Sequence, residues 1–402
     1  MRVLWISYYY LPHVGGGTWA TYNLSLRLSK KGHKVELVVP NISHKLSIPR
    51  EYSIKMERGN PSMLHRTPVF PLPREVAPFL SGFFILCTVL GLRRGADVII
   101  AQYHPHTFFA PLAVLLGRIL KTPVILRADD VFREMGSPPR LAFKTMNILN
   151  EYFIKYAKAI LVVCSEEKRV LLSRHGQRDL ESRIHLSFNG VDLSEFNVSE
   201  SKLEIREKLG FRNDERIVLF TGRFSGEEYG IEVLIRALPM IQERVPNVLL
   251  AFVGDKLAPS QLSLVNALHG TKNIRVYGPK SRSEITRFII VADICLGPLR
   301  PTSAIPLKVV EYMACGKPIV TGIDSLSRDI ALNGYNCICV PPESEAVAEA
   351  ILGLFRDKNN AKLLGLNAMR TARRFTWDKA ADNLDIILCQ ARNNVGSQTL
   401  ES

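Results

Sequence analysis

The sequence predicts an α/β protein with two doubly wound domains, each built on a parallel sheet. The chain has 402 residues, about two to four times the size of a usual domain, so two cores are expected. Strand-like and helix-like segments alternate along both halves, as they do where crossover helices join parallel strands. A content of 47% hydrophobic and 22% charged residues is typical of a folded globular protein.

The elements of the first domain follow one another to about residue 190. A strand, a glycine loop, a helix and a second strand are expected in turn over RVLWISYYY, VGGGTWA, TYNLSLRLSKKG and HKVELVV. The alternation continues through ADVIIAQY, PLAVLLGRIL, PVILRA, a helix over 141–156, and AILVVCS. We therefore place the first domain at residues 1–195.

The second domain is placed at residues 196–375. Its strands are expected over IVLFTG, VLLAFVG, NIRVYG, ADICLGPL and PIVTG, with helices over 231–243 and LKVVEYMACG. The terminal segment FTWDKAADNLDIILCQARNN has apolar residues at helical spacing. A C-terminal helix over 376–402 is expected to pack back on the first domain.

The charge of the chain indicates an anionic partner. A net charge of +14 with a pI near 9.5 suits nucleic acid, an anionic membrane or a phosphorylated substrate. Residues 1–100 hold 13 Lys and Arg against 5 Asp and Glu, a balance of +8. The chain lacks the interleaved aromatic and basic residues of nucleic-acid modules, so no nucleic-acid partner is expected.

The seven cysteines are scattered, and their spacing fits neither a zinc site nor a disulfide framework. No signal peptide is recognised before the first predicted strand. A reducing, cytoplasmic location is therefore expected.

One apolar segment, Val76 to Leu92, ends on Arg93 and Arg94. It is shorter than the roughly 20 residues of a membrane-spanning helix. Two interpretations stay open: a buried helix that leads into the strand ADVII, or a helix lying in the membrane interface with basic flanks.

Gly15, Gly16 and Gly17 lie between a predicted strand and a predicted helix. Glycines there let the backbone approach a phosphate, and the helix N-terminus supplies oriented N–H groups. The pattern is neither GxGxxG nor GxxxxGK[ST], so it does not indicate a dinucleotide site or a P-loop. A plain tight turn is the alternative.

Arg223 ends the segment TGR, which closes a buried strand. This places its guanidinium at the carboxyl edge of the sheet, where open α/β sheets bind ligands. The planar fork of arginine bonds two oxygens of a diphosphate at once. A surface ion pair with Glu227 is the alternative.

The most informative stretch is PTSAIPLKVVEYMACGKPIV, residues 301–320. A loop of small residues runs into a helix that is expected to begin near Pro306. The backbone amides of Ser303, Ala304 and Ile305 would then face an anion.

Lys308 and Glu311 lie one turn apart on this helix. A carboxylate at Glu311 can accept both hydroxyls of a ribose. The alternative is that the two residues form a surface ion pair, which contributes little to stability.

Taken in order, five segments resemble the retaining GT-B glycosyltransferases of glycosyltransferase family 4. They are GGGTWATYNLSLRLSKKGHKVELVV, FNGVDLSEF, LFTGRFSGEEYGIEVLIRAL, LKVVEYMACGKPIV and FTWDKAA. The resemblance spans nearly the whole chain. It implies two Rossmann-like domains facing a cleft, the first on the acceptor side and the second binding a nucleotide sugar. It also implies a nucleoside diphosphate sugar as co-substrate, with no metal and no organic cofactor.

Matched residue by residue, the resemblance implies a donor site. Gly15 and Gly16 correspond to the donor-phosphate loop, Arg223 to the diphosphate-binding arginine and Glu311 to the glutamate that holds the donor ribose. Tyr277 and Gly278 correspond to the strand end whose following backbone lies beside the nucleobase.

Three positions depart from the family pattern. Tyr229 stands where GRLxxxKG has its lysine, with one extra residue, so one cationic phosphate ligand is missing. Ser303 replaces the first of two glutamates eight positions apart, where backbone amides would contact the phosphate instead. Gln102 stands where the fourth strand of the first domain usually ends in histidine.

Acceptor-side residues are expected just beyond these strand ends. His104, favoured over His106, would supply the histidine, and a surface histidine is the alternative. Asp129 and Asp130 follow the strand PVILRA, where the family often has His and Asp contacting the acceptor. A metal-binding acidic pair is the rival interpretation.

Sugar transfer with retention at the anomeric carbon is the expected reaction. The candidate catalytic residues are Arg223 and Lys308, which would stabilise charge on the departing diphosphate, together with His104 and Asp129 on the acceptor side. The expected acceptor is lipid-linked or a glycan, with the first domain touching an anionic membrane at its inner face. A catalytically silent sugar-nucleotide-binding subunit is the alternative function.

Overall fold

A computed structural model describes the chain at residues 1–13, 15–41, 50–69, 77–92, 95–103, 107–128, 141–175, 178–224, 229–268, 270–302, 305–324 and 328–396. The chain divides into two compact units. The first takes residues 1–189 together with 377–402, and the second takes residues 190–376. The sequence had placed these boundaries at 195 and 375.

The first unit contains a parallel sheet of seven strands in the order β3-β2-β1-β4-β5-β6-β7. The strands are β1 Arg2–Ile6, β2 Lys34–Pro40, β3 Met63–Thr67, β4 Val98–Tyr103, β5 Val124–Ala128, β6 Ala159–Val162 and β7 Ile184–Leu186. The helices are α1 Gly16–Lys30, α2 Arg50–Gly59, α3 Ala77–Gly91, α4 Phe109–Leu120, α5 Leu141–Ile154, α6 Ser165–His175, α7 Arg178–Arg183 and α15 Trp377–Gly396.

The central strand β1 is buried on both faces, because Val3 and Trp5 alternate with Leu4 and Ile6 and all four are buried. This is the pattern of a parallel sheet with helices on either side. The face that carries Leu4 and Ile6 shares one hydrophobic core with α3, α4 and α5. These three helices therefore cover the same side of the sheet.

The C-terminal helix α15 belongs to the first unit, where it packs on α1. Arg27 of α1 donates to Asp378 at 2.7 Å, and the His33 ring lies 2.9 Å from Asp385. Leu384 and Leu388 of α15 are fully buried. The return of the chain thus completes the core of the unit in which it began.

The second unit contains a parallel sheet of six strands in the order β10-β9-β8-β11-β12-β13. The strands are β8 Arg216–Gly222, β9 Val248–Gly254, β10 Ile274–Tyr277, β11 Ile294–Leu296, β12 Ile319–Gly322 and β13 Ile338–Val340. The helices are α8 Lys202–Lys208, α9 Ile231–Arg244, α10 Pro259–Ala267, α11 Arg282–Val291, α12 Leu307–Ala314, α13 Ser344–Arg356 and α14 Lys358–Ala372, with short 3-10 helices at Leu193–Phe196 and Gly270–Asn273.

The hydrophobic runs of the sequence became the central strands of both sheets. RVLWI, VIIAQY and VILRA form β1, β4 and β5, and RIVLFTG and VLLAFVG form β8 and β9. The α/β class with two doubly wound sheets is thereby confirmed. The outer strands β3, β7 and β13 are not predicted by the sequence.

Candidate donor site at the carboxyl edge of the second sheet

Strand order in the second unit defines where a ligand binds. From β8 the chain winds outward through β9 to β10, and from β11 it winds the other way through β12 to β13. The crevice outside the carboxyl ends of two neighbouring strands at such a reversal is the usual binding site of open α/β sheets. Arg223 follows β8, and α12 follows β11, so both lie at this edge.

Arg223 is exposed. Within the described ranges its side chain makes neither an ion pair nor a hydrogen bond, so the guanidinium is available to a ligand. The strand end beneath it is fixed, because the Thr221 N–H donates to the Tyr312 hydroxyl at 2.8 Å and the two hydroxyls lie 2.9 Å apart. This buried contact ties the end of β8 to α12. Gly222 has a φ of 100°, which favours glycine.

Lys308 reaches back from the first turn of α12 toward β8. Its ammonium nitrogen lies 4.0 Å from the centre of the Phe220 ring and 4.2 Å from that of Tyr229. A Cβ atom at position 222 would lie 3.1 Å from the same nitrogen. The ammonium therefore lies beside the residue that precedes Arg223, which brings two positive charges to one strand end.

The first turn of α12 differs by one residue from the expectation. The helix begins at Leu307, and Pro306 takes the N-cap position with a φ of −66° and a ψ of 124°. The cap has no side-chain hydrogen bond, and the first turn has no acidic residue, so its N–H groups suit an anion. Ile305 is buried. Ser303 and Ala304 lie outside the described residues.

Glu311 is buried on α12 and is held by a residue that the sequence had not singled out. Arg282, the first residue of α11, donates to the Glu311 carboxylate at 3.0 Å and to Glu195 at 2.6 Å. Burial opposes the charge of Arg282, but the two carboxylates outweigh it and raise the pKa of the guanidinium above its ordinary value. Among the described residues, Glu311 pairs with Arg282 in this partly buried network and does not form the expected alternative, a surface pair with Lys308.

Tyr277 ends β10 with its ring against Phe288, at 4.6 Å between centroids, and against Phe211, at 5.9 Å. Burial raises the pKa of the Tyr277 hydroxyl. The side chain thus braces the end of the sheet. Gly278 follows in an exposed position, with no atom within 4 Å of where its Cβ would be.

In the first unit, Gly15 and Gly16 follow β1 at the matching edge. Gly15 has extended backbone and caps α1 without a side-chain hydrogen bond. No atom lies within 4 Å of where a Cβ on Gly16 would be. The fold around position 16 leaves room for a side chain, so packing within the unit does not account for the glycine.

Gln102, which departs from the family pattern, is buried at the end of β4. Its side-chain oxygen accepts hydrogen bonds from the Tyr8 N–H at 3.0 Å and from the Ser7 hydroxyl at 3.3 Å. It thereby fixes the chain that leaves β1 toward Gly15. His104, His106, Asp129 and Asp130 lie outside the described residues, and their roles stay predictions.

The described residues hold no group of three or more His, Cys, Asp or Glu arranged to bind a metal ion. The expectation that no metal is needed stays a prediction.

A second feature is an exposed apolar and aromatic surface on the first unit, which we call the α3–α5 face. It consists of side chains exposed by 40% or more on or next to the three helices: Phe83, Leu90, Leu115, Ile119, Ile148, Tyr152 and Tyr156. The guanidinium of Arg118 lies 4.5 Å from the centre of the Tyr156 ring, and the Lys155 ammonium lies 3.9 Å from that of Tyr152. The surface is therefore both aromatic and basic.

The apolar segment Val76 to Leu92 contributes α3 to this face. Ile85 and Val89 are buried in the core, whereas Phe83 and Leu90 are exposed. The helix is thus buried along one side and open along the other. Arg93 and Arg94 lie outside the described residues. Across the described helices, none combines the length and apolarity needed to cross a bilayer.

The fold is that of GT-B glycosyltransferases. The structure of Anabaena HepE in complex with UDP and glucose superposes with a TM-score of 0.77 at 17% sequence identity, over 97% of this chain and 100% of that one. The structure of WaaG, a glycosyltransferase involved in lipopolysaccharide biosynthesis, superposes with a TM-score of 0.73 at 14% identity, over 96% of this chain and 99% of that one.

Sequence comparison gives the family. Residues 14–195 match the family model Glycosyltransferase Family 4, and residues 201–371 match Glycosyl transferases group 1. The chain belongs to glycosyltransferase family 4 and is a glycosyltransferase.

Two relatives are similar to this chain in sequence. The chain is 23% identical over 384 residues to alpha-monoglucosyldiacylglycerol synthase of Acholeplasma laidlawii, covering 91% of this chain and 90% of that protein. It is 29% identical over 254 residues to D-inositol 3-phosphate glycosyltransferase of Xylanimonas cellulosilytica, covering 61% of this chain and 60% of that protein.

Proposed function

We propose that this protein transfers a sugar from a nucleoside diphosphate sugar to an acceptor hydroxyl, with retention at the anomeric carbon. The observation that carries the proposal is the pairing of positive charge at the end of β8, where exposed Arg223 follows Gly222, the residue beside the Lys308 ammonium. The uncapped N-terminus of α12 lies at the same edge. A diphosphate matches all three features. The UDP bound in HepE supports a nucleotide donor.

In the proposed reaction, the bond between the anomeric carbon and the diphosphate oxygen breaks. The acceptor oxygen forms a new bond to the same face of that carbon, and the acceptor proton passes to the departing phosphate. Arg223, Lys308 and the α12 amides would stabilise the negative charge that grows on the leaving group. Glu311, fixed by Arg282, would accept the ribose hydroxyls.

Arg223→Ala tests the charge at the centre of this site. Removing one such donor costs on the order of 2.7–4 kcal/mol of transition-state stabilisation, so turnover should fall about a hundredfold or more in a folded protein. Arg244→Ala is the matched control, because Arg244 is exposed at the end of α9 and pairs with Glu349. Wild-type turnover in folded Arg223→Ala would refute the assignment.

Glu311→Gln tests the ribose contact. The change should weaken the donor more than the acceptor and reduce discrimination between ribo and deoxyribo donors. Discrimination equal to that of the wild type would rule out the role. If a panel of donors binds the wild-type protein with no transfer and no hydrolysis, the chain is a sugar-nucleotide-binding subunit instead.

We further propose that the acceptor is lipid-linked and that the α3–α5 face binds an anionic membrane surface, for assembly of a glycolipid or a related glycan. Exposed aromatic rings suit the depth of lipid headgroups, and basic residues near an anionic leaflet contribute about 1 kcal/mol each. Glu151 is the one acidic residue of α3, α4 and α5, and it faces Arg174 and His175. The relative named for a diacylglycerol product supports a lipid acceptor.

Sedimentation with liposomes of graded anionic content tests the membrane contact. Binding should rise with anionic lipid and fall in the Ile148→Ser, Tyr152→Ser double variant and in Lys155→Glu. Leu363→Ser is the control, because Leu363 is an exposed residue of the second unit. Protein that stays in the supernatant at every composition in low salt would contradict the proposal.

A further inference from the structure

The ammonium of Lys308 lies in a corner made by two aromatic rings. The centroids of Phe220 and Tyr229 are 5.7 Å apart with the ring planes at 71°, and the ammonium nitrogen lies within 4.2 Å of both centroids. The nitrogen is buried. Gly222 forms a third wall, since a Cβ there would approach the nitrogen to 3.1 Å. We call this arrangement the lysine corner.

The two rings stabilise the cation through their negative faces. Such contacts are stronger where water is excluded. The rings hold the ammonium in place while its positive charge persists. A long, flexible lysine side chain is thereby given one position at the end of β8, from which its positive charge attracts an anion bound at this edge.

The sequence at the lysine corner departs from the family pattern at a position where the pattern itself has a lysine. Tyr229 stands where GRLxxxKG has its lysine, and the loop before it is one residue longer. Lys308, on α12, brings an ammonium to within 4.2 Å of the Tyr229 ring centre. The positive charge that this chain lacks at position 229 is therefore present a few ångströms away, carried by another element.

We propose that Tyr229 is a positioning residue, which with Phe220 holds Lys308 as the second positive charge for the diphosphate, in place of the pattern's lysine that this chain lacks. The inference rests on the proposed function, because it assigns a role within the same donor site. Tyr229 acts through Lys308 and does not itself touch the diphosphate. Tyr229 and Lys308 then act together in the donor site.

A double-mutant cycle tests the coupling between Tyr229 and Lys308. Tyr229→Leu and Tyr229→Met both remove the ring, and the second preserves more of its volume in case the first does not fold. Each should lower kcat/KM for the donor about tenfold. Tyr229→Phe keeps an aromatic ring, so kcat/KM should recover most of that loss. In a Lys308→Met background the loss of the ring should have no further effect, because the group it positions is gone.

Binding of inorganic pyrophosphate and of UDP, followed by calorimetry, provides a readout besides turnover. Both should bind more weakly to Tyr229→Met and to Lys308→Met, whereas uridine, which lacks the phosphates, should be unaffected. Equal loss of uridine and UDP would show a general disturbance of the site and overturn the inference.

The two proposals fail in distinguishable ways. If no donor is turned over by the wild type, the proposed function fails while the pyrophosphate comparison still decides the lysine corner. If Tyr229→Met is folded and transfers sugar like the wild type, or if its effect adds fully to that of Lys308→Met, the lysine corner has no role in positioning and the proposed function stands.

Discussion

Glu311 shows how far single residues can be located from the sequence. Its place on an amphipathic helix after a loop of small residues was sufficient to select it as a ribose ligand. Its partner Arg282 lies 29 residues away, on another helix, and no local pattern relates the two. The pairing is produced by the fold, because α11 leads into β11 and α12 leads away from it.

Lys308 illustrates the same limit. The sequence gives its helical spacing to Glu311, but the contacts that place its ammonium come from Phe220 on β8 and from Tyr229. In the sequence, Tyr229 marks only the loss of the family's lysine. Its contact with Lys308 depends on the close approach of α12 to β8, which a linear pattern does not contain.

Gly16 carries a prediction that separates folding from binding. Because the space around position 16 is open, Gly16→Ala should leave stability unchanged or raise it by up to about 1 kcal/mol. If a donor phosphate approaches this backbone, the added methyl group should weaken donor binding. Donor KM and thermal unfolding are measured together, with Gly353→Ala as the control because that glycine is also open and lies on α13. Unchanged KM would exclude a close phosphate at this loop.

Among the elements, α11 connects local sequence to the site. It begins with a capping box, in which the Ser281 side chain accepts from the Glu284 N–H at 3.3 Å and the Glu284 carboxylate accepts from the Ser281 N–H at 2.9 Å. The next residue, Arg282, is the one that fixes Glu311. The start of this helix therefore sets the position of the network of Arg282 with Glu195 and Glu311.

Ser281→Ala should cost about 1 kcal/mol, which lowers the melting temperature by about 2–4 °C for a unit of this size. It should also raise the donor KM, because the start of α11 that positions Arg282 is then less firmly fixed. Ser201→Ala is the matched control, since Ser201 and Glu204 form the same motif on α8. An equal rise of KM in both variants would show that stability alone is responsible.

The same cap has a pH dependence of defined sign. Hydrogen bonds from the Ser281 hydroxyl and N–H lower the pKa of Glu284 below its ordinary value of 4.5. The stabilisation is therefore present above pH 4.5 and is lost as the pH falls through the lowered value. Unfolding measured from pH 6 downward should show a smaller acid sensitivity in Ser281→Ala than in the wild type, because the variant has already lost part of this interaction.

Strands were predicted where burial on both faces made a continuous apolar run, as in β1 and β8. The outer strands β3 and β7 are only partly buried, so their residues carry no such signal. Three of the five residues of MLHRT are polar, and IHL has only three residues. Their strand conformation follows from pairing with a neighbour, which is a tertiary contact.

At the level of the whole molecule, the second unit should fold on its own. Residues 190–376 form one continuous stretch with their own sheet and core. A protein limited to that stretch is expected to unfold cooperatively and to bind the nucleoside diphosphate that protects the full chain. Calorimetry with and without the nucleotide measures both. A non-cooperative transition would mean that the unit depends on the rest of the chain.

The first unit, by contrast, closes only with α15. Burial of side chains such as Trp377, Leu384 and Leu388 stabilises by about 1.5–3 kcal/mol each, a sum comparable with the whole stability of a domain. The second unit is inserted into the sequence of the first, so α15 is synthesised after the rest of the first unit and after the whole second unit. During translation, the first unit therefore cannot complete its core until α15 is made, and the surface of α1 that α15 covers stays exposed. The second unit can complete its core before then. The order of folding reverses the order of synthesis, and the period of exposure lasts for the translation of almost two hundred residues, about 10 to 40 seconds at 5–20 residues per second.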